Sequence, residues 1–147
     1  MKIDNETLLE RGVAEVIVKK DLEKKLASGK KLRIKLGIDP TGSDLHIGHA
    51  VVLNKLRQFQ ERGDTVILLI GDYTARIGDP TGKSETRVTL AEEQIKENMK
   101  HYIEQASKII DIKKAEIRYN SEWFDKMTMA DILELTAKKT VMQILQR

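Results

Sequence analysis

The chain has 147 residues, of which 33% are charged and 40% hydrophobic, and its net charge is +3. This length is sufficient for one domain with a buried core, and the mild basic bias is compatible with a nucleotide or nucleic-acid partner without requiring one. The lack of cysteine excludes disulfides and thiolate metal sites. Neither a signal peptide nor an apolar run of about 18 residues is present, so we expect a cytoplasmic protein without a membrane-spanning segment.

The first predicted elements are a helix and a strand. The helix covers residues 5–28 with a break near Gly12, Asn5 is its candidate N-cap, and Gly29 follows its last turn. Residues 32–38 alternate apolar with polar or small side chains, and this period of two predicts a strand.

A second helix and a second strand follow. The helix is predicted over residues 46–61, and Gly63 lies just past its end. Its predicted buried face consists of Val52, Leu56 and Phe59. Residues 65–70 form a continuous apolar run, which is typical of a strand buried on both faces of a parallel sheet. Residues 71–86 are rich in Gly, Asp, Thr and Ser and predict a loop.

The remaining elements are mostly helical. A capping box at residues 89–92 predicts a long helix that ends near Asp111. Its predicted buried face is formed by Ile95, Met99, Tyr102, Ile103, Ala106, Ile109 and Ile110. Residues 115–119 form a short predicted strand. A second capping box at residues 128–131 opens another helix, and a last helical segment extends to Arg147.

This order of helices and strands predicts an open α/β fold with a parallel sheet and right-handed crossovers. Ligands of such sheets bind at the carboxyl ends of the strands. The loop after the first strand covers residues 39–49 and the loop after the second covers residues 71–87. We therefore expect both loops to face the same crevice.

The loop after the first strand predicts a phosphate site. A turn rich in Pro, Gly and Ser leads to His46, Gly48 and His49 at the start of a helix. Free N–H groups and the positive end of the helix dipole attract phosphate there, and the histidines add donors with little fixed charge. Two alternatives remain: a metal pair, which lacks a third ligand at a suitable spacing, and two histidines that are simply exposed to water.

The loop after the second strand superficially resembles a P-loop at residues 78–84. Its two glycines are separated by three residues instead of the required four, and the next helix is predicted too late. A plain surface turn at Pro80 is one alternative. The functional interpretation makes Asp79 an anion for a substrate ammonium group, with Lys83 and Arg87 as mobile cations for departing phosphates.

Two further patterns favour structural interpretations. The basic side chains between Lys19 and Arg33 are interrupted by acidic residues and have no interleaved aromatics, so a solvated helix face is favoured over an RNA-binding surface. Trp123 and Phe124 are interpreted as packing residues.

Several segments of the chain together resemble one family. Residues 46–49 read His-Ile-Gly-His and resemble the HIGH signature of class I aminoacyl-tRNA synthetases. Their setting is similar to that of tyrosyl-tRNA synthetases in particular, and the similarity covers nearly the whole chain. The segments that carry it are residues 35–41, 46–49, 55–60, 70–82 and 119–123.

The resemblance implies a reaction and a set of site residues. The substrates would be tyrosine, ATP with its Mg²⁺, and tRNA(Tyr). The catalytic residues would be Thr41, His46, His49, Lys83 and Arg87. The nucleotide-binding residues would be Gly37, Asp39, Pro40, Thr41, His46, Gly48 and His49. The tyrosine-binding residues would be Gly37, Thr74 and Asp79. No resident metal is implied.

The resemblance also implies a domain organisation. Residues 1–31 would be an N-terminal helical segment, and residues 32–147 would be the first half of a Rossmann-like catalytic domain of the HUP type, with the start of a connecting helical region. The second half, the KMSKS loop and the anticodon-binding region would lie beyond Arg147. The full-length protein would be a homodimer. One branch of the family reads the substrate phenol with a tyrosine where this chain has Lys35, so that contact is not carried over. A nucleotide- or RNA-binding module without catalytic activity is the alternative function.

Overall fold

The computed structural model describes residues 4–77 and 90–145. Three strands and seven helices are present in these two ranges. The strands are β1 (Arg33–Ile38), β2 (Thr65–Ile70) and β3 (Glu116–Tyr119). The helices are α1 (Asn5–Glu10), α2 (Lys19–Ala27), α3 (Ile47–Arg62), α4 (Glu92–Ser107), α5 (Ser121–Phe124), α6 (Met129–Ala137) and α7 (Val141–Leu145). Short 3₁₀ turns follow β2 and precede β3.

The strands form one parallel sheet in the order β1-β2-β3. Ile38 pairs with Ile70, and Ile70 pairs with Tyr119, so the three strands end at the same level. Helix α3 connects β1 to β2, and α4 lies between β2 and β3. The predicted α/β parallel-sheet fold is therefore confirmed.

The main core lies between one face of this sheet and helices α3 and α4. It is formed by Leu53, Leu56, Val66, Leu68, Ile70, Ala106 and Ile110. Strand β2 alternates between buried and half-buried residues, so the predicted burial on both faces is found in full on one face and only in part on the other. The opposite face includes the charged side chains Arg33, Lys35 and Glu116, and Arg33 forms an ion pair with Glu116 across β2.

The amino ends of β1 and β2 are joined by a buried carboxylate. Asp64 is 6% exposed, and it accepts a 2.8 Å hydrogen bond from the backbone N–H of Leu32. The guanidinium of Arg62 pairs with the same carboxylate at 2.7 Å. This paired charge fixes the start of the β1–β2 register, because a buried carboxylate must keep its partners.

The N-terminal helix is broken more strongly than predicted. It consists of α1 and α2, and Gly12 has a φ of +68° between them. Asp4, not Asn5, is the N-cap of α1, where it accepts a 2.7 Å hydrogen bond from the N–H of Thr7. A second hydrophobic cluster joins this region to α3 through Leu8, Leu9, Leu26 and Phe59.

Helix α3 has nearly the predicted bounds. His46 is its N-cap, and Gly63 ends it in the left-handed conformation with a φ of +103°. The predicted buried face of α3 is wrong at one position near the start of the helix. Val52 was predicted to be buried but is 45% exposed, and the neighbouring Leu53 is buried instead.

The bounds of α4 differ from the prediction at both ends. Its N-cap is Ala91, which makes no side-chain capping bond, and Thr89 of the predicted capping box lies outside the described residues. The helix ends at Ser107, so Ile109 and Ile110 pack against the core from the following turn. Of the predicted buried face, Ile95, Tyr102, Ala106 and Ile110 are buried, and Met99, Ile103 and Ile109 are partly buried.

The C-terminal helices are capped as predicted but are exposed. Thr128 and Asp131 form the expected reciprocal capping box at the start of α6. Large apolar side chains of α6 and α7 remain in contact with solvent, among them Met129, Leu133, Val141, Met142 and Leu145. Within the described ranges, no helix is both long and apolar enough to cross a membrane.

Candidate functional site

The candidate site lies where the three parallel strands end. Asp39 follows β1, Gly71 follows β2 and Asn120 follows β3. The N–H of Gly71 donates to the carbonyl of Ile38 at 2.9 Å, and the N–H of Asn120 donates to the carbonyl of Ile70 at 3.0 Å. The backbones of the three strands thus stay joined one residue past their last paired positions. The loops after β1 and β2 meet at this edge, as predicted.

Polar side chains form a hydrogen-bonded chain across the edge. The hydroxyl of Thr74 donates to Asp39 Oδ1 at 2.9 Å and accepts from Asn120 Nδ2 at 2.9 Å. Asn120 Oδ1 in turn accepts from the N–H of Tyr73 at 2.9 Å. The Asp39 carboxylate, at the end of β1, is therefore oriented by Thr74 after β2 and, through it, by Asn120 after β3.

Gly71 allows this arrangement because it has no side chain. A Cβ at this position would overlap the Asp39 carboxylate and lie 2.5 Å from the Thr74 hydroxyl. Any larger residue would force the carboxylate away from its present position. The absence of a Cβ at position 71 is therefore part of the site's geometry.

A cavity of about 510 Å³ opens between the end of β1 and the start of α3. Its polar lining combines one carboxylate, one hydroxyl and two imidazoles with two glycines. These residues are Gly37, Asp39, Thr41, His46, Gly48 and His49. Leu36, Ile38, Val52 and Leu53 provide the apolar part of the wall. A cavity with this lining and a helix N-terminus at its edge suits an anionic ligand with an apolar ring.

The two histidines cap helix α3 reciprocally. His46 Nδ1 accepts from the N–H of Gly48 at 3.1 Å, and His49 Nδ1 accepts from the N–H of His46 at 3.1 Å. The rings lie with their centroids 4.0 Å apart. Two N–H groups at the helix start are thus already bonded, which corrects the expectation of a fully free backbone cradle. In the neutral rings the proton is on Nε2, so each ring can donate one hydrogen bond from that atom.

The packing of the two histidine rings explains why residue 48 is a glycine, and it also sets the charge state of His49. A Cβ at Gly48 would lie 2.9 Å from the His46 ring, so a side chain there would push the ring out of its capping position. Burial, and then the neighbouring His46, lower the pKa of His49 below its ordinary value of 6.5. His49 is therefore neutral at pH 7, which agrees with the expectation of donors with little fixed charge.

The structure divides the predicted site residues into four groups. Six of them line the cavity, as described above. Pro40 is buried, and its carbonyl accepts a 3.0 Å hydrogen bond from Asn98. Thr74 contacts the site through Asp39. Asp79, Lys83 and Arg87 lie outside the described residues, as does the segment that resembles a P-loop.

Sequence reasoning missed several residues of the site. Gly71 and Asn120 were recognisable in principle, because each follows a predicted strand at its carboxyl end. Asn98 interrupts the predicted apolar face of α4 and is buried, so a polar residue on a buried face was the available signal. Phe124 stacks on Tyr73 with ring centroids 5.2 Å apart, as expected of a packing residue. Trp123 lies against Phe124 with ring centroids 5.7 Å apart and is 40% exposed, so it packs on one side only.

No group of three or more potential metal-ligating side chains occurs among residues 4–77 and 90–145. His46 and His49 use Nδ1 for helix capping, which leaves one nitrogen on each ring. The alternative of a metal-binding histidine pair therefore gains no support from the geometry.

The fold is that of a parallel-sheet α/β domain with a cavity at the carboxyl end of its first strand. Residues 27–147 match the family described as tRNA synthetases class I (W and Y). The chain belongs to this family, and the resemblance seen in the sequence is confirmed.

Individual relatives agree with this assignment. The chain is 53% identical over 140 residues to a tyrosine–tRNA ligase of Thermotoga maritima and 52% identical over 144 residues to that of Moorella thermoacetica. Each match covers 95% of this chain and 35% of the relative, so the chain spans about a third of the length of these curated relatives. Among solved structures, a C-terminally truncated mitochondrial tyrosyl-tRNA synthetase of Aspergillus nidulans matches with a TM-score of 0.78 and 28% identity. That match covers 97% of this chain and 44% of the other.

Proposed function

We propose that this chain supplies the ATP-binding side of the active site of a tyrosine–tRNA ligase. The observation that carries the proposal is the cavity at the carboxyl end of β1, where both histidines, Asp39 and Thr41 converge on the N-terminus of α3. Tyrosine is favoured over tryptophan because relatives named as tyrosine–tRNA ligases are 52–53% identical over 95% of the chain.

The proposed reaction has two steps. The carboxylate of tyrosine attacks the α-phosphate of ATP, which forms tyrosyl-adenylate and releases pyrophosphate. A ribose hydroxyl of the terminal adenosine of tRNA(Tyr) then takes the tyrosyl group from the adenylate, and AMP is released. Mg²⁺ enters with ATP as part of the substrate. Because the protein forms no covalent bond in this scheme, catalysis depends on positioning and on stabilisation of charge.

The nucleotide is assigned to the described cavity. Thr41 and His46, which line the cavity, are assigned to the terminal phosphates, where their hydroxyl and imidazole donors would stabilise the departing pyrophosphate. Gly37 and Asp39 are assigned to the α-phosphate and ribose. Gly48 and His49 are assigned to the nucleoside. Pro40, which is buried and bonded to Asn98, is proposed to hold the loop in place.

Tyrosine is assigned to the adjacent edge of the sheet. Its ammonium group is proposed to bind Asp79 with Thr74 nearby, and Gly37 leaves room for its backbone. Lys83 and Arg87 are proposed to bind the phosphates as they separate. The complete protein is further proposed to act as a homodimer on tRNA(Tyr) in the cytoplasm.

The deciding experiment is ATP–pyrophosphate exchange by the protein expressed from its complete reading frame. We expect exchange that depends on tyrosine and is at least a hundredfold slower with tryptophan or phenylalanine. His46→Ala should reduce it strongly, whereas Gln94→Ala on the exposed side of α4 should not. Exchange with a different amino acid would contradict the tyrosine assignment. Salt-dependent RNA binding without any exchange would instead favour a non-catalytic binding module.

A further inference from the structure

Helix α4 contacts the loop after β1 through three polar side chains. We call residues 40–45 the nucleotide loop, because they include Thr41 and lead directly to His46, and both residues are assigned above to the phosphates of the nucleotide. Asn98 Nδ2 donates to the carbonyl of Pro40 at 3.0 Å, and Tyr102 Oη accepts from the N–H of Gly42 at 3.3 Å. Gln105 Oε1 accepts from the N–H of Leu45 at 2.7 Å. The three residues are spaced by four and three positions, so they lie on one face of the helix.

The burial of these side chains indicates that their polar groups have a specific role. Asn98 is 7% exposed and Tyr102 is 4% exposed. A buried amide or hydroxyl is unfavourable unless it is hydrogen-bonded, and an apolar side chain would pack at these positions without that cost. Ile95 and Ala106 on the same face already provide apolar packing. The polar groups of Asn98 and Tyr102 are therefore explained by the loop and not by packing.

Gln105 fixes the end of the nucleotide loop that leads into the histidines. Its Nε2 donates to Asp44 Oδ1 while its Oε1 accepts from Leu45, so both ends of the amide are used. Hydrogen bonds from Ser43 and then from Gln105 lower the pKa of Asp44, which keeps this carboxylate charged. The next residue after Leu45 is His46, the N-cap of α3.

We infer that Asn98, Tyr102 and Gln105 are positioning residues that hold Thr41 and His46 at the separation required for the leaving phosphates. The inference rests on the proposed function, because it names the supports of the same site. The loop has an irregular backbone, with a 2.8 Å hydrogen bond from the N–H of Thr41 to the carbonyl of Asp39. Contacts from α4 at both ends and in the middle therefore determine its position. A displacement of about 1 Å at such a site reduces the rate by about a hundredfold.

The test uses substitutions that remove one polar contact and keep the volume. Tyr102→Phe removes the hydroxyl that binds Gly42, and Gln105→Met removes both amide contacts. Gln94→Met is the matched control, because it makes the same change on the same helix at an exposed position. All variants are made in the protein expressed from its complete reading frame.

Two readouts separate positioning from stability. In pyrophosphate exchange, Gln105→Met should lower kcat/KM for ATP by about tenfold to a hundredfold and leave KM for tyrosine unchanged. In amide hydrogen exchange, the N–H of Leu45 should lose protection in Gln105→Met, and that of Gly42 should lose protection in Tyr102→Phe. The amides of β2 should keep theirs in both variants.

Each outcome decides the inference. Equal kinetics for Gln105→Met and Gln94→Met would overturn it, as would unchanged protection of Gly42 and Leu45. A parallel increase in both Michaelis constants, with loss of protection throughout the sheet, would indicate a purely structural role and would also overturn it. Absence of ATP–pyrophosphate exchange in the unmodified protein would contradict the proposed function. The protection of the Gly42 and Leu45 amides against hydrogen exchange would then decide by itself whether α4 holds the loop.

Discussion

The nucleotide loop and the C-terminal helices α6 and α7 differ in how far away in the sequence their hydrogen-bond partners lie. The loop has an irregular backbone, and its partners on α4 are 58 to 61 residues away in the sequence. In the described part of the C-terminal region, the hydrogen bonds of Thr128, Thr136 and Gln143 join residues three or four positions apart. Its apolar side chains lie mostly in solvent.

The difference shows how each region acquires its shape. A capped helix forms from signals within one turn, and this is true of α6 with its Thr128–Asp131 box. A loop without regular structure needs partners from elsewhere, because its backbone groups must still be satisfied. We therefore expect substitutions near the loop to change the stability of the whole domain. Substitutions in the C-terminal helices should change the stability of those helices only.

The largest expected effect comes from truncating a leucine of the core cluster against which Leu45 of the loop packs, compared with a leucine of α6. Leu56→Ala on α3 removes a side chain that is 4% exposed and should destabilise the fold by about 2–5 kcal/mol. Leu133→Ala on α6 removes one that is 63% exposed and should cost less than about 0.5 kcal/mol. Urea denaturation of residues 1–147 measures both free energies of unfolding. Comparable losses would mean that the exposed face of α6 is covered in solution.

The next effect concerns the glycine under the Asp39 carboxylate. Gly71→Ala should cost about 1–3 kcal/mol, because the new methyl group overlaps that carboxylate. Gly42→Ala is the matched control, since its Cβ would meet Tyr102 Oη at an ordinary 3.5 Å. It should be neutral or should stabilise the fold by about 0.4–1 kcal/mol, because alanine lowers the entropy of the unfolded chain. Thermal unfolding distinguishes them, and equal midpoints would contradict the close contact at Gly71.

A smaller effect is expected at the cap of α6. Thr128→Ala removes the hydroxyl that accepts from the N–H of Asp131, and the loss should be about 1 kcal/mol. Thr136→Ala should be close to neutral, because its hydroxyl bonds carbonyls within the same helix and alanine is a better helix former. Amide hydrogen exchange should show faster exchange in α6 of Thr128→Ala. Faster exchange at Gly42 or Leu45 as well would refute the independence of the two regions.

The smallest effect is the pH dependence that arises from His49. Because burial and His46 lower the pKa of His49 in the folded state, the unfolded chain binds more protons below about pH 6.5. The contribution of neutral His49 to the free energy of unfolding is fully present above its unfolded pKa and is lost as the pH falls through its folded pKa. NMR titration of His49 should give a midpoint below 6.5, and His49→Asn should flatten the slope of stability against pH between 5 and 7. A midpoint above 6.5 would contradict the observed burial.

Much of the fold was predictable because its signals are local. The bounds of α3 follow from His46 at one end and Gly63 at the other, and the apolar run at residues 65–70 predicts β2. The meeting of the two loops follows from the parallel order of the strands. Errors occurred where neighbouring positions compete for the core, as with Val52 and Leu53, and where a helix ends without a glycine, as α4 does at Ser107.

The sequence by itself determined the family, the parallel sheet and the position of Gly37, Asp39, Thr41 and the two histidines at one edge. These features depend on periodicity, caps and short motifs, which operate over a few residues. Only the tertiary structure decided how that edge is held. The orientation of Asp39 depends on Thr74, Asn120 and the missing side chain of Gly71, and the nucleotide loop depends on α4. Such contacts join residues tens of positions apart, and packing of the whole sheet against its helices brings them together.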